Sequence, residues 1–194
     1  MRRLILTAAV TVGLLAAAGP AQAACSDRAM ERPFLRFLDP MHYTLVPGGD
    51  FERGAPGWRL TGKAAVVAGN ESYQVGGAGD RYSLRLPSGS SATTPPVCVE
   101  LTDPTLRFFA SNEGLLPLLS TLKVDVLVAG LPVPIGVAIG GKPWRPTLPM
   151  LVIKNLLAPL AQDGSVDVRF RFTPIGLGAK WRIDDVYVDP FKQR

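Results

Sequence analysis

Apolar and polar residues alternate with a period of two along the most strongly patterned stretches of the chain. Leu122, Val124, Val126 and Val128 alternate with Lys123 and Asp125, and Val166, Val168, Phe170 and Phe172 alternate with Asp167, Arg169 and Arg171. Successive strand residues point to opposite faces, so this spacing predicts half-buried antiparallel strands with the aliphatic and aromatic face inward. Shorter runs at 64–68, 82–86, 97–101, 106–111, 133–139, 148–151 and 181–188 read as further strands. Turn chemistry separates them at Gly76-Gly77-Ala78-Gly79-Asp80, Pro87-Ser88-Gly89, Asp103-Pro104, Gly140-Gly141-Lys142-Pro143 and Asp163-Gly164. About nine short strands with no intervening long amphipathic helix predict an all-β, two-sheet antiparallel sandwich. Single helical turns are expected only within 30–40 and 156–161.

The N-terminus departs from this pattern. Met1-Arg2-Arg3 precedes an apolar run from Leu4 to Ala18, and Gly19-Pro20 precedes the small-residue segment Ala21-Gln22-Ala23. The run is shorter than the ~20 residues that span a bilayer, so residues 1–23 read as an export signal, cleaved after Ala23, and the protein as secreted or extracytoplasmic. Residues 24–46 form a short leader, expected to pack on the edge of a domain covering 47–194. The apolar segment 115–141 is broken by Lys123, Asp125, Pro117, Pro132 and Pro134, which favours core strands over a membrane hairpin, so no membrane span is expected.

Composition narrows the chemistry. The 194 residues include 20 Gly and 18 Pro, which fits a chain of turns, and 47% are hydrophobic, enough for a core. The net charge is +5 with positive and negative residues interspersed, which argues against nucleic acid as a partner. One His excludes a His-rich metal site, and two Cys exclude a four-cysteine zinc site or an iron–sulfur cluster. In an exported chain, Cys25 and Cys98 pair most simply as a disulfide, closing a loop of about 73 residues worth on the order of 4 kcal/mol in the chain-entropy model.

Catalytic readings find few carriers. His42 lies in the leader with no nucleophile motif, and no G-x-S-x-G is present. Glu100, Asp103 and Glu113 have no spacing that sets them apart as a glycosidase pair, and Gly76-Gly77-Ala78-Gly79 lacks the Lys and helix of a phosphate loop. The chain is read as a non-enzyme.

Two segments at opposite ends of the domain carry more than composition. Gly48-Gly49-Asp50-Phe51-Glu52-Arg53-Gly54-Ala55-Pro56-Gly57-Trp58 and Trp181-Arg182-Ile183-Asp184-Asp185-Val186-Tyr187-Val188-Asp189-Pro190 resemble the opening "NGDFE…GW" and closing "W.IDDV.V.P" signatures of galactose-binding-like jelly rolls, in particular the family 4/9-like carbohydrate-binding modules. The resemblance implies a jelly-roll sandwich with its first and last strands side by side, and in many members a structural calcium between them. Carried over by position, it implies the Asp50 carbonyl, the Glu52 carboxylate and Asp184 as ligands, with Asp185 competing for the last place. Strand parity puts Asp184 on one face with Val186 and Val188, the face expected to point inward. The mid-chain ligand has no clear match, Asp80 being the one guess. The alternative is that Glu52 and Asp184 are solvated, or pair with Arg53 or Arg182.

The same resemblance implies a glycan as ligand, which requires aromatic faces for sugar rings and polar groups for hydroxyls. Trp58 and Trp181 lie within the signature segments and are expected in the core. Trp144, beside Arg145 and after a turn, is the candidate platform, and Tyr73, within Asn70-Glu71-Ser72-Tyr73-Gln74, is the next. That stretch also contains a glycosylation sequon, discounted because residue usage looks bacterial. Lys123, Arg169 and Arg171 are read as a solvated exterior. The competing reading is an extracellular structural or interaction domain that contacts a cell-surface protein and binds no small molecule.

Overall fold

The structure is a computed structural model that describes residues 25, 28–100, 104–152, 157, 159, 161 and 165–189. The export signal, the Asp163-Gly164 turn, Asp103 and Pro190 lie outside the described residues, as do Leu156, Ala158 and Leu160 of the expected 156–161 turn. Among the described residues, thirteen strands follow in order: β1 (Thr44–Leu45), β2 (Arg59–Thr61), β3 (Ala65–Ala68), β4 (Tyr82–Pro87), β5 (Ser91–Thr93), β6 (Val97–Glu100), β7 (Thr105–Asn112), β8 (Thr121–Val128), β9 (Leu131–Ala138), β10 (Arg145–Pro146), β11 (Met150–Leu151), β12 (Ser165–Ile175) and β13 (Lys180–Asp189).

They form two antiparallel sheets. One runs β10-β7-β13-β4-β3, with β1 also on β13 and β11 on β7; the other runs β2-β5-β12-β8-β9, with β6 also on β12. All the pairings are antiparallel. The all-β sandwich expected from the alternation is therefore the fold. The pattern located the long strands and missed β1, β2, β5 and β10, each of two or three residues. Among the described residues, no helix is long and apolar enough to cross a membrane.

The core is built by the inward positions of both sheets. Leu84, Leu86, Leu106, Phe108, Trp181 and Ile183 face Leu122, Val124, Val126, Val168, Phe170 and Phe172 across the interior. Phe108 meets Phe172 edge to face, with centroids 5.2 Å apart, and Trp58 stacks on the same Phe172 at 5.9 Å. Trp58 and Trp181 are both buried. Removing one of these aromatic rings costs about 3–5 kcal/mol by analogy with other cores.

A second apolar layer was not expected. The leader lies across the outer face of the seven-stranded sheet rather than on the domain edge, and Phe34 and Tyr43 pack there against Phe109 and Tyr187. Its chain is anchored by the Cys25–Cys98 disulfide, by a Glu31–Tyr43 bridge and by the pairing of β1 with β13. Asp39 accepts from the Tyr43 hydroxyl (2.7 Å) and pairs with Arg107, whose guanidinium lies 4.2 Å over the Phe34 ring. Burial and the bond to Asp39 push the Tyr43 phenol up to about 12. The expected helical turn near residue 35 exists as a 3-10 turn, Leu35–Phe37.

Candidate functional site

The two signature segments meet. Val46 N–H donates to Val186 O (2.8 Å) and Val186 N–H to Gly49 O (3.1 Å), which lays the segment after β1 along β13. A Cβ on residue 49 would fall 2.9 Å from the carbonyls of Val46 and Val186, so only glycine permits this approach. The register of β13 on β7 shifts between Asp184 and Tyr187, and Asp185 takes a left-handed backbone, φ 47°. This bulge corrects the parity expectation: Asp184 and Asp185 are both buried, because a bulge re-aims successive side chains and the leader covers the outer face.

Around the bulge the 69–81 turn and residues 50–52 bring up further acids. Asp184 accepts from Glu71 N–H and from Asp185 N–H, both at 3.0 Å. The Glu71 carboxylate, also buried, accepts from Val75 N–H (2.6 Å) and Tyr73 N–H. Glu52 takes two backbone bonds through one oxygen, from Arg81 and Tyr82, each 2.7 Å. Asp185 Oδ2 is buried without a hydrogen-bond partner. Among the described residues, none of Asp50, Glu52, Glu71, Asp80, Asp184 and Asp185 forms an ion pair. Glu71 is the member that reading the sequence did not find. It sits 113 residues from the Asp184 carboxylate it bonds, inside a triplet that reads as a sequon.

The electrostatics record the crowding. Burial, and then the neighbouring Asp185 charge, push Asp184 up to about 9. Burial, and then Glu71 and Asp80, push Asp185 up to about 7. Asp80 is raised by burial and by Glu52 and Asp50. Among the described residues no three acidic, histidine or cysteine side chains close into a ready metal cage. The donor set nonetheless fits an oxygen-liganded cation: every group is a carboxylate, one buried oxygen is orphaned, and Gly76 leaves room where a Cβ would run into the Asp80 and Asp185 carboxylates.

The expected sugar platform is arranged differently. Tyr73 and Trp144 do come together, the Tyr73 hydroxyl donating to Trp144 O (3.1 Å), with Arg145 exposed on the adjoining β10. Tyr73, however, packs edge-on against Phe37 (4.9 Å) and beneath Arg36 (5.1 Å), and the Arg182 guanidinium lies 5.6 Å over Trp144. Both rings thus form the rim of the aromatic layer under the leader.

A different concavity, of about 420 Å³, lies on the outer face of the six-stranded sheet. It is lined by Thr61, Ser90, Ser91 and Thr173 and by the cations Lys123 and Arg171. Thr61 and Ser91 bond each other through their hydroxyls (2.8 Å). Asp125, fully buried below, holds Lys123 Nζ at 3.1 Å and Arg171 Nη2 at 3.4 Å through one oxygen, and its Oδ1 has no hydrogen-bond partner. One carboxylate between two cations leaves the groove net positive, with hydroxyls on both walls. The exterior read as merely solvated is therefore organised, by pairings across β2-β5-β12-β8 that alternation alone does not reveal.

No protein-family model and no curated protein sequence matches the chain. Solved structures do. An arabinose-bound α-L-arabinofuranosidase is 14% identical, with a TM-score of 0.53 over 77% of this chain and 26% of that one. The N-terminal family 22 carbohydrate-binding and GH10 modules of a Clostridium thermocellum endo-1,4-β-D-xylanase, complexed with xylohexaose, give 12% and 0.50 over 77% and 28%. The K1 cleaved adhesin domain of Lys-gingipain from Porphyromonas gingivalis gives 12% and 0.50 over 74% and 96%. The chain spans about a quarter of the two enzyme structures and nearly all of the adhesin domain. At these identities the likeness is one of fold alone, that of a two-sheet antiparallel jelly-roll sandwich.

Proposed function

We propose that the protein is an exported, non-catalytic carbohydrate-binding module whose glycan lies in the groove over Thr61, Ser91, Lys123, Arg171 and Thr173. The observation that carries this reading is the groove itself: a concavity of small-ligand size with hydroxyls on both walls and two cations clamped by a buried carboxylate. Hydroxyls and fixed cations supply the donors that sugar hydroxyls and uronate carboxylates need. The fold supports the reading, since one structural neighbour is complexed with xylohexaose and another is bound to arabinose. We further propose that calcium is held by Asp185, Glu52 and Asp80, with Asp50 and Asp184 alongside, as a structural ion that neutralises the acidic bulge.

Affinity electrophoresis against soluble xylans, galactans and uronate-containing polysaccharides tests the function. Retardation on at least one of them, lost in Thr173→Val and Ser91→Ala but kept in Trp144→Ala, is expected. No retardation on any polysaccharide overturns the glycan reading, and loss in Trp144→Ala alone moves the site to the Tyr73–Trp144 rim.

A further inference from the structure

The end of the sandwich away from the acidic bulge is formed by loops 113–120 and 175–179, with residues 139–142 beside them before the chain turns back to Trp144 and Tyr73. They are tied at their bases: Glu113 N–H donates to Lys180 O (2.7 Å), and the buried Asn112 amide donates to Pro117 O (3.2 Å) and Gly140 O (3.3 Å). Trp181 Nε1 donates to Ser120 Oγ at 2.9 Å, fixing the first loop to the core. On this firm base large aliphatic side chains point into solvent. Leu115 is 92% exposed, Leu118 99% and Leu177 83%, with Leu119 and Ile139 also exposed. The segment Gly114–Ser120 carries no charge, and its 3-10 turn, Pro117–Leu119, leaves these leucines no interior to face.

Exposed apolar side chains gathered at one place mark an interaction surface. Three features of this one select its partner. The side chains stand on turns outside the strands and are almost fully exposed. They are purely aliphatic and offer no hydrogen-bonding group to read a particular protein. The same end carries the exposed Lys63 and Lys142, and also Lys123 and Lys180, which pair with the buried Asp125 and with Glu113. Hydrocarbon tips surrounded by positive charge complement a hydrocarbon layer under anionic headgroups.

We infer that this end of the protein docks peripherally on an anionic lipid bilayer, with the leucines of loops 113–120 and 175–179 inserted among the acyl chains and the surrounding lysines on the headgroups. The inference rests on residues other than the hydroxyl walls of the groove and stands whether or not a glycan binds there.

Co-sedimentation of the disulfide-bonded protein with vesicles tests it, comparing pure phosphatidylcholine with phosphatidylcholine carrying phosphatidylglycerol. Binding to the anionic vesicles is expected, weakened by salt and reduced about 10-fold or more in Leu118→Asp, as the loss of a buried aliphatic side chain to a charge requires. Lys63→Gln combined with Lys142→Gln is expected to weaken binding to anionic vesicles, and Leu38→Asp, an equally exposed leucine in the leader, to leave it unchanged. Because all these positions are exposed, a melting midpoint matching the parent separates docking from misfolding. No binding to either vesicle, binding indifferent to Leu118→Asp, or a self-associated protein that Leu118→Asp dissociates without any vesicle binding would each overturn the inference.

Discussion

The two ends of the sandwich break opposite burial rules. At one end the bulge of β13 keeps Asp184, Asp185 and Glu71 inside, with no ion pair among the described residues and one orphaned oxygen. At the other, Leu115, Leu118 and Leu177 stand outside, uncovered among the described residues. Carboxylates behave accordingly: burial and mutual repulsion raise Asp80, Asp184 and Asp185, whereas Glu113 at the apolar end is held low by cations. Each departure is costly alone and calls for a different partner, proposed as a cation at the first end and an apolar surface at the second. Between them the sheets enclose an aliphatic and aromatic core, with the buried Asp125 as an exception on the outer face.

The largest effect is expected from calcium. A ligand that binds only the folded state at a thousandfold excess over its Kd stabilises by about 4 kcal/mol, so adding calcium to chelator-treated protein should raise the melting midpoint. Asp185→Asn should abolish that increment. The same variant, melted in chelator, should be more stable than the parent, because it removes an unpaired buried charge while Asn tolerates the left-handed backbone at φ 47°. A midpoint indifferent to calcium would end the contrast between the two ends on the side of the acids.

Two glycines sharpen the comparison further. At the apolar end Gly176 has φ 113°, and a Cβ there would collide with the backbone carbonyl of Leu119. Gly176→Ala should therefore cost about 2 kcal/mol or more in denaturant melts. At the acidic end Gly76 is outside the left-handed region, and its Cβ would meet the Asp80 and Asp185 side-chain oxygens, which can move. Gly76→Ala should cost less than about 1 kcal/mol yet shrink the calcium increment. Equal costs at the two sites would show that the acidic loop is as rigidly packed as the leucine loop.

Much of the sandwich was legible because period-two alternation reports directly on a sheet with one wet face, as in β8 and β12. The disulfide was legible from two cysteines in a chain read as exported. The outer face of the seven-stranded sheet was not, since Phe109 and Tyr187 face the leader rather than water, and alternation cannot say what covers a face. For the same reason Tyr73 and Trp144 looked like an open platform and are found as the rim of a covered layer. The signature segments pointed to Asp50, Glu52, Asp184 and Asp185, but parity failed at a bulge that only the β7–β13 register reveals. Glu71 was invisible because its role depends on a contact with Asp184, far away in sequence. The leucines of 115–119 read as core because their hydrophobicity is that of core residues; what sets them apart is that their loop lies beyond the last strand pairing.

The smallest effect tests the sign of the electrostatic contrast. Burial pushes the Glu113 carboxyl up, but the bond to Lys180 Nζ (2.9 Å) and the Arg182 guanidinium (3.5 Å) outweigh it and hold the group below its ordinary value. A depressed folded pKa contributes stability that is present above the unfolded value, about 4.3 for Glu, and is lost as pH falls through the folded one. The pair is partly exposed, so after solvent screening the contribution is at most about 1 kcal/mol. Wild type should therefore melt slightly above Glu113→Gln at neutral pH, and the gap should close as the solution is acidified below about pH 4. A gap that instead widens on acidification would mean that burial dominates at Glu113 too, and that the two ends differ in what they expose but not in how they treat charge.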